Sequence, residues 1–279
     1  MMAAMRLREA ISLIACDLDG TLLKPGGELG AYTARVVRGL ARRGIRFILA
    51  SGRSPSSVAS YASLLGLDGP HIALNGAAIV EGGRVVLGQR LSLESLATAA
   101  EVLKAYGLVP FYFGESTCGY SAEHAEHVRH VEGWGFDIFR AYEEPDDEPV
   151  LHLHAVGDAP AAASAARDIN AHLPGVAYAW AYPSWRGDLW HLDVASAGVD
   201  KGGGLAEVAA RLGVPLSRAL ACGDWLNDLP MFKAAGAAVA MVHAEEEIRA
   251  AAAFVTRASY VEEGLAAFLE ERFGLGEEP

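Results

Sequence analysis

The chain has 279 residues, 52% of them apolar and 21% charged, with a formal net charge of −12. That length holds one large domain or two ordinary ones, and the apolar share excludes a disordered chain. The acidic balance opposes a nucleic-acid partner, whose phosphates require clustered Lys and Arg, and no run of about 18 apolar residues is present to span a membrane.

The N-terminal arginines have no signal-type apolar stretch behind them. Ile11 to Cys16 is a short apolar run that reads as a buried strand and leads straight into Asp17-Leu18-Asp19-Gly20-Thr21. After a Pro-Gly-Gly loop, Thr33 to Arg43 places Val36, Val37, Leu40 and Ala41 on one helical face, and Gly44 stops it. Ile45 to Ala50 reads as a second buried strand and runs into Ser51-Gly52-Arg53; Ser54-Pro55 then opens a helix, with Ser54 as its N-cap. Ile72 to Leu74 is a third strand, ending in Asn75-Gly76. Strand, helix, strand, helix, strand is the pattern of a parallel α/β sheet.

The pattern then changes. Gly82-Gly83 between two apolar runs reads as a hairpin. Helices over 92–106 and 160–173 alternate with strands over 108–113, 150–156 and 176–182, which suggests an inserted α+β domain with antiparallel strands. Its most polar stretch, 142–149, reads as an exposed loop. The parallel pattern returns with a helix from Lys201 to Leu212, a strand from Ala219 to Cys222, a helix from Asn227 to Ala235, a strand from Ala237 to Met241, a helix from Ala244 to Ala252, a short strand over 254–256 and a closing helix from Tyr260 to Phe273. The expected division is a core of 1–82 and 191–279, interrupted by a second domain over 83–190.

Asp17, Ser51 and Asp224 each sit where a predicted parallel strand ends. In an open α/β sheet those carboxyl ends line a single crevice, so chain-distant residues can meet there. Two carboxylates two residues apart point the same way, and a buried charged pair needs a counter-charge. A hard cation such as Mg2+, which prefers carboxylate and carbonyl oxygens, is the plainest one. The three cysteines, Cys16, Cys118 and Cys222, lack metal-ligand spacing, so a reducing cytoplasm is expected, with Cys16 and Cys222 as small core residues.

Asp17-Leu18-Asp19-Gly20-Thr21, Ser51-Gly52-Arg53, Lys201-Gly202 and Gly223-Asp224-Trp225-Leu226-Asn227-Asp228 together resemble the four motifs of the haloacid dehalogenase superfamily. Asn75-Gly76-Ala77 matches a segment common in its Cof-type branch. The resemblance covers the first 80 and last 90 residues or so. It implies a Rossmann-like parallel core with an inserted α+β cap. One helix separates the first two motifs, whereas the interval from Arg53 to Lys201 is far longer than one crossover. In the family, that place and content imply the type 2 cap, subtype B, which closes over the core and supplies specificity.

The implied activity is a Mg2+-dependent phosphatase of small phosphorylated metabolites, sugar phosphates above all. Asp17 would attack phosphorus, and Asp19 would serve as general acid and base. Ser51 and Gly52 would hold phosphoryl oxygens, and Lys201 would offset their charge. Asp224, Asp17 and the Asp19 carbonyl would hold the metal, with Asp228 alongside. Arg53, Asn75 and Asn227 are assigned to substrate binding, and Arg186 is the candidate recognition residue of the cap. The dehalogenase members lack an acid at the Asp19 position, which favours phosphoryl transfer. A sugar phosphomutase and a non-catalytic phosphometabolite-binding protein remain as alternatives. The chain is expected to be a monomer or weak homodimer.

His124, His127 and His130 read as a solvated helix face and His152 and His154 as structural or exposed residues. Trp180, Tyr182, Trp185 and Trp190 read as cap core. Asp193 receives no functional role.

Overall fold

The structure, a computed structural model, describes residues 10–121, 128, 135, 138–141, 149–183 and 189–276. Arg186, the three histidines at 124, 127 and 130, Trp185 and nearly all of the polar stretch 142–149 lie outside the described residues.

The first elements follow the apolar pattern. Leu13–Cys16 (β1) is buried at every position. Ala31–Arg42 (α1) turns Val36, Val37 and Leu40 inward, and Gly44 behind it takes φ 80°. Arg46–Leu49 (β2) and Pro55–Leu65 (α2) follow, with Ser54 Oγ accepting the Ser57 N–H at 3.2 Å as an N-cap. His71–Ala73 (β3) then turns back into Ala78–Glu81 (β4), antiparallel to it. Gly82 and Gly83, both at positive φ, lead into Arg84–Gly88 (β5), the hairpin expected of a Gly-Gly pair.

The middle of the chain supplies Leu93–Ala105 (α3), Val109–Phe113 (β6), Thr117–Tyr120 (β7), Ile138–Ala141 (β8), His152–Gly157 (β9), Ala159–His172 (α4), Ala177–Pro183 (β10) and Trp190–Ser196 (β11). The last third supplies Lys201–Leu212 (α5), Ala219–Gly223 (β12), Leu229–Ala234 (α6), Ala237–Ala240 (β13), Glu246–Ala251 (α7), Phe254–Val255 (β14) and Gly264–Phe273 (α8).

The chain divides into two compact units. One takes the residues up to Gly52, Val58–Gly83 and Asp200 onward; the other takes Arg53–Ser57 and Arg84–Val199. The expected return to the first unit at residue 191 is therefore wrong. β11 pairs antiparallel with both β9 and β10, so the chain completes a third long strand of the inserted sheet before it leaves.

In the first unit the parallel sheet runs β14-β13-β12-β1-β2. β1 is an interior strand, paired in parallel with β12 on one side and with the edge strand β2 on the other. β3 does not extend the ladder as a full strand; a single parallel bridge joins Ala50 to Ile72. The closing helix is also shorter than its sequence pattern. Glu263 takes φ 56° and breaks it, because its carboxylate accepts the Thr33 N–H at 2.7 Å and hydroxyl at 2.8 Å and pairs with Lys24 at 3.2 Å. Gly264 follows where a Cβ would strike the Ala258 carbonyl.

In the second unit the sheet runs β10-β11-β9-β6-β7-β8. Its pairs are antiparallel except β7 with β8, which is parallel. α3 and α4 bury Leu96, Leu103, Ala162 and Ile169 against Leu153, Ala155, Leu192 and Val194 of one face. The alternate residues of the same strands build a buried polar group. Asp193 Oδ1 meets His152 Nε2 at 2.9 Å and His154 Nδ1 at 2.6 Å, while the Tyr182 hydroxyl donates to Oδ2 at 2.9 Å. His152 and His154 are thus structural, as their alternation allowed, and Asp193 is the anion they enclose.

Candidate active site

The parallel register brings three strand ends to one edge. Asp17 follows β1, and its N–H donates to the Cys222 carbonyl at 2.9 Å. Asp224 follows β12, and Ser51 follows β2, its N–H held by the Ile72 carbonyl at 3.0 Å. Asp17 is therefore central, flanked by Asp224 and Ser51.

Lys201 enters from the first residue of α5. Asp200 caps that helix by accepting the Gly203 N–H at 2.8 Å. The glycines behind Lys201 admit close neighbours: a Cβ on Gly202 would stand 2.5 Å from the Pro230 carbonyl oxygen, and one on Gly204 would stand 2.9 Å from Ile72 Cγ2. So placed, the wholly buried ammonium donates to Asp17 Oδ1 at 2.6 Å and Asp228 Oδ1 at 2.7 Å. Asp228 is itself fixed, because its Oδ2 accepts the N–H groups of Asp224 and Trp225 at 2.9 and 3.0 Å.

Carboxylate oxygens of Asp17, Asp224 and Asp228 all lie within 4.8 Å of one another, each residue buried. Three carboxylates against one ammonium leave two negative charges uncompensated. Burial pushes the Asp17 carboxyl well above its usual range; Lys201 opposes this, while Asp228, Asp224 and Asp19 add to it. Burial favours a neutral Lys201, but Asp17 and Asp228 outweigh it and hold the ammonium charged. Burial also raises Asp224, with Thr21 and His243 pulling the other way. A dry, hard-oxygen, over-negative cluster fits a divalent cation such as Mg2+.

The remaining sequence candidates take distinct places. Asp19 is exposed, close enough for Asp17 to feel its charge, but its side chain is not among the three clustered carboxylates. Ser51 is buried, and its carbonyl accepts the Asn75 N–H at 3.0 Å. Asn75, in the left-handed region at φ 53°, lies beside Gly52 and accepts a hydrogen bond from the Asn227 amide at 3.0 Å. Arg53 falls with the second unit and reaches Ser57 Oγ at 3.4 Å. Two site residues escape the sequence reading. The Thr21 hydroxyl donates to Asp224 Oδ1, and His243 Nε2 stands 3.5 Å from Asp224 Oδ2. Thr21 is the last residue of a recognised motif, so proximity was its signal; His243 has only its position just beyond a strand end.

Comparison with known proteins agrees with this geometry. A model of the haloacid dehalogenase-like hydrolase family matches residues 14–269. The chain is 28% identical over 272 residues to the 5-amino-6-(5-phospho-D-ribitylamino)uracil phosphatase YitU of Bacillus subtilis, covering 94% of this chain and 98% of that protein. It is 27% identical to a phosphoglycolate phosphatase of Methanospirillum hungatei, over 85% of this chain and 86% of the relative. A solved haloacid dehalogenase-like hydrolase from Bacteroides thetaiotaomicron has the same fold, with a TM-score of 0.78 at 24% identity over 93% of this chain and 98% of that one. With nearly its whole length matched, this chain belongs to the haloacid dehalogenase-like hydrolases, as a Cof-type member.

Proposed function

We propose that this phosphatase is Mg2+-dependent, acts in the cytoplasm and hydrolyses small phosphorylated metabolites, sugar phosphates foremost, through an aspartyl-phosphate on Asp17. The observation that carries the reading is the convergence of Asp17, Asp224, Asp228 and Lys201 at one edge of a parallel sheet. The two curated relatives are named as phosphatases of small phosphorylated molecules, which supports the substrate class.

Hydrolysis of a phosphate monoester asks the enzyme for on the order of 20 kcal/mol of barrier reduction. An Asp17 oxygen attacks phosphorus as the bond to the leaving oxygen breaks, and Asp19 gives that oxygen its proton. Asp19 then takes a proton from water, which displaces phosphate from Asp17 and restores the carboxylate. Exposure suits Asp19 to this work, since it must exchange protons with solvent. Lys201 offsets the charge on Asp17 and the phosphoryl group. Ser51, the Gly52 N–H and the Asn75–Asn227 pair hold the non-bridging oxygens. Asp17, Asp224 and the Asp19 carbonyl would hold Mg2+, which supplies positive charge beside the phosphoryl oxygens. Asp228, with both oxygens engaged, serves better to anchor Lys201 than to ligate.

Asp17→Asn should abolish p-nitrophenyl phosphate hydrolysis, and a wild-type rate would remove the nucleophile assignment. Asp19→Asn should bind substrate near normally and turn over about 10²–10⁴-fold more slowly.

A further inference from the structure

Asp224 is the one clustered carboxylate that Lys201 does not touch; its contacts come from Thr21 on Oδ1 and His243 on Oδ2. The backbone around His243 is clamped on both sides. Val242 N–H donates to Thr256 Oγ1 at 3.0 Å, Met241 N–H donates to the Gly223 carbonyl at 3.1 Å, and Ala244 N–H closes a turn onto the Met241 carbonyl at 3.0 Å. Arg249 Nη1 donates to the carbonyls of Val242 and Ala244 at 3.1 and 2.9 Å, so one guanidinium spans His243. The Tyr260 ring, 4.9 Å away between centroids, packs on the imidazole, which remains about one-third exposed, at 31%. Such a clamp fixes the direction of a side chain that has little burial to fix it.

We propose that His243 is a positioning residue for the divalent-cation site: its Nε2 holds the Asp224 carboxylate in the orientation that ligates. This rests on the reading of Asp224 as a metal ligand. A Gly20 Cβ would collide with the Asp224 carboxylate, so the carboxylate has close neighbours in Gly20, Thr21 and His243. Partners of this kind, one bond removed from the metal, commonly change its affinity about 10–100-fold when lost.

The test compares wild type, His243→Phe, which keeps a ring against Tyr260 but no donor, and His243→Gln, which restores one. MgCl2 binding to the substrate-free protein is measured by titration calorimetry, together with the rise of Tm on adding MgCl2. The expected result is a Kd roughly tenfold weaker in His243→Phe and recovered to within about threefold in His243→Gln. A lower Tm with an unchanged Kd would make His243 merely structural and overturn the inference. If His243→Phe does not fold, His243→Gln is set against His243→Ala; equal Kd values there overturn it too. Wild type that binds no Mg2+ would instead overturn the metal-site reading on which this stands.

Discussion

Gathering three buried carboxylates at one place has a cost that appears in the charge balance. One ammonium, bound by Asp17 and Asp228, stands against the three carboxylates of Asp17, Asp224 and Asp228, so ionised Asp17 is kept against its burial. An acid whose pKa is raised on folding destabilises the fold fully above that pKa, and the penalty is relieved as pH falls from it toward the unfolded chain's value. Asp17→Asn removes one of the two uncompensated charges while Lys201 keeps Asp228. The variant should therefore be more stable than wild type in metal-free buffer at pH 7, by about 1 kcal/mol or about 2–4 °C in Tm. MgCl2 should narrow the gap by stabilising wild type more. An equal or lower Tm for Asp17→Asn without metal would contradict the charge balance. These residues were legible because the chemistry dictates both residue type and spacing. Thr21 and His243 were not, because a supporting contact to a carboxylate can come from any donor in reach.

At the level of elements, α5 is held in place by what its glycines lack. Three consecutive glycines at a helix start cost roughly 1 kcal/mol each relative to alanine. The compensation is close approach, since the first turn of α5 lies against Pro230 and Ile72 and so delivers Lys201 to its carboxylates. Gly202→Ala gains propensity but drives a methyl into the Pro230 carbonyl. It should lower Tm and reduce turnover at least tenfold, as Lys201 withdraws from Asp17; unimpaired turnover would show that the position tolerates a side chain. The helices of the parallel unit were readable from apolar periodicity and caps, as Ser54 and Gly44 illustrate. β7 and β8 were not, because Thr117–Tyr120 and Ile138–Ala141 are only four residues each and are defined by pairing, β7 with β6 and β8 with β7, rather than by alternation. The break at Glu263 was equally invisible, since it depends on Thr33 and Lys24, far away in the chain.

Across the whole chain, the insertion was legible from one long interval between motifs, while its end was not. Trp190–Ser196 has the composition of a strand in either unit, and only pairing with β9 and β10 assigns it. A second whole-chain property lies in His71 on β3. It is buried, and its Nδ1 accepts the Leu49 N–H at 3.2 Å, joining β3 to β2. Burial pushes its pKa down to about 4 from a usual 6.5. The unfolded chain thus binds a proton between pH 6.5 and 4 that the folded chain refuses, so stability is full above pH 6.5 and lost as pH falls toward 4. Asp17 contributes the opposite slope, so wild type alone would mix the two. Urea denaturation of wild type and His71→Gln, both with Asp17 intact, isolates the histidine. Wild type should lose up to about 3 kcal/mol relative to His71→Gln across that window. Parallel stability curves for the two proteins from pH 7 to pH 4.5 would mean that His71 does not hold itself neutral in the fold.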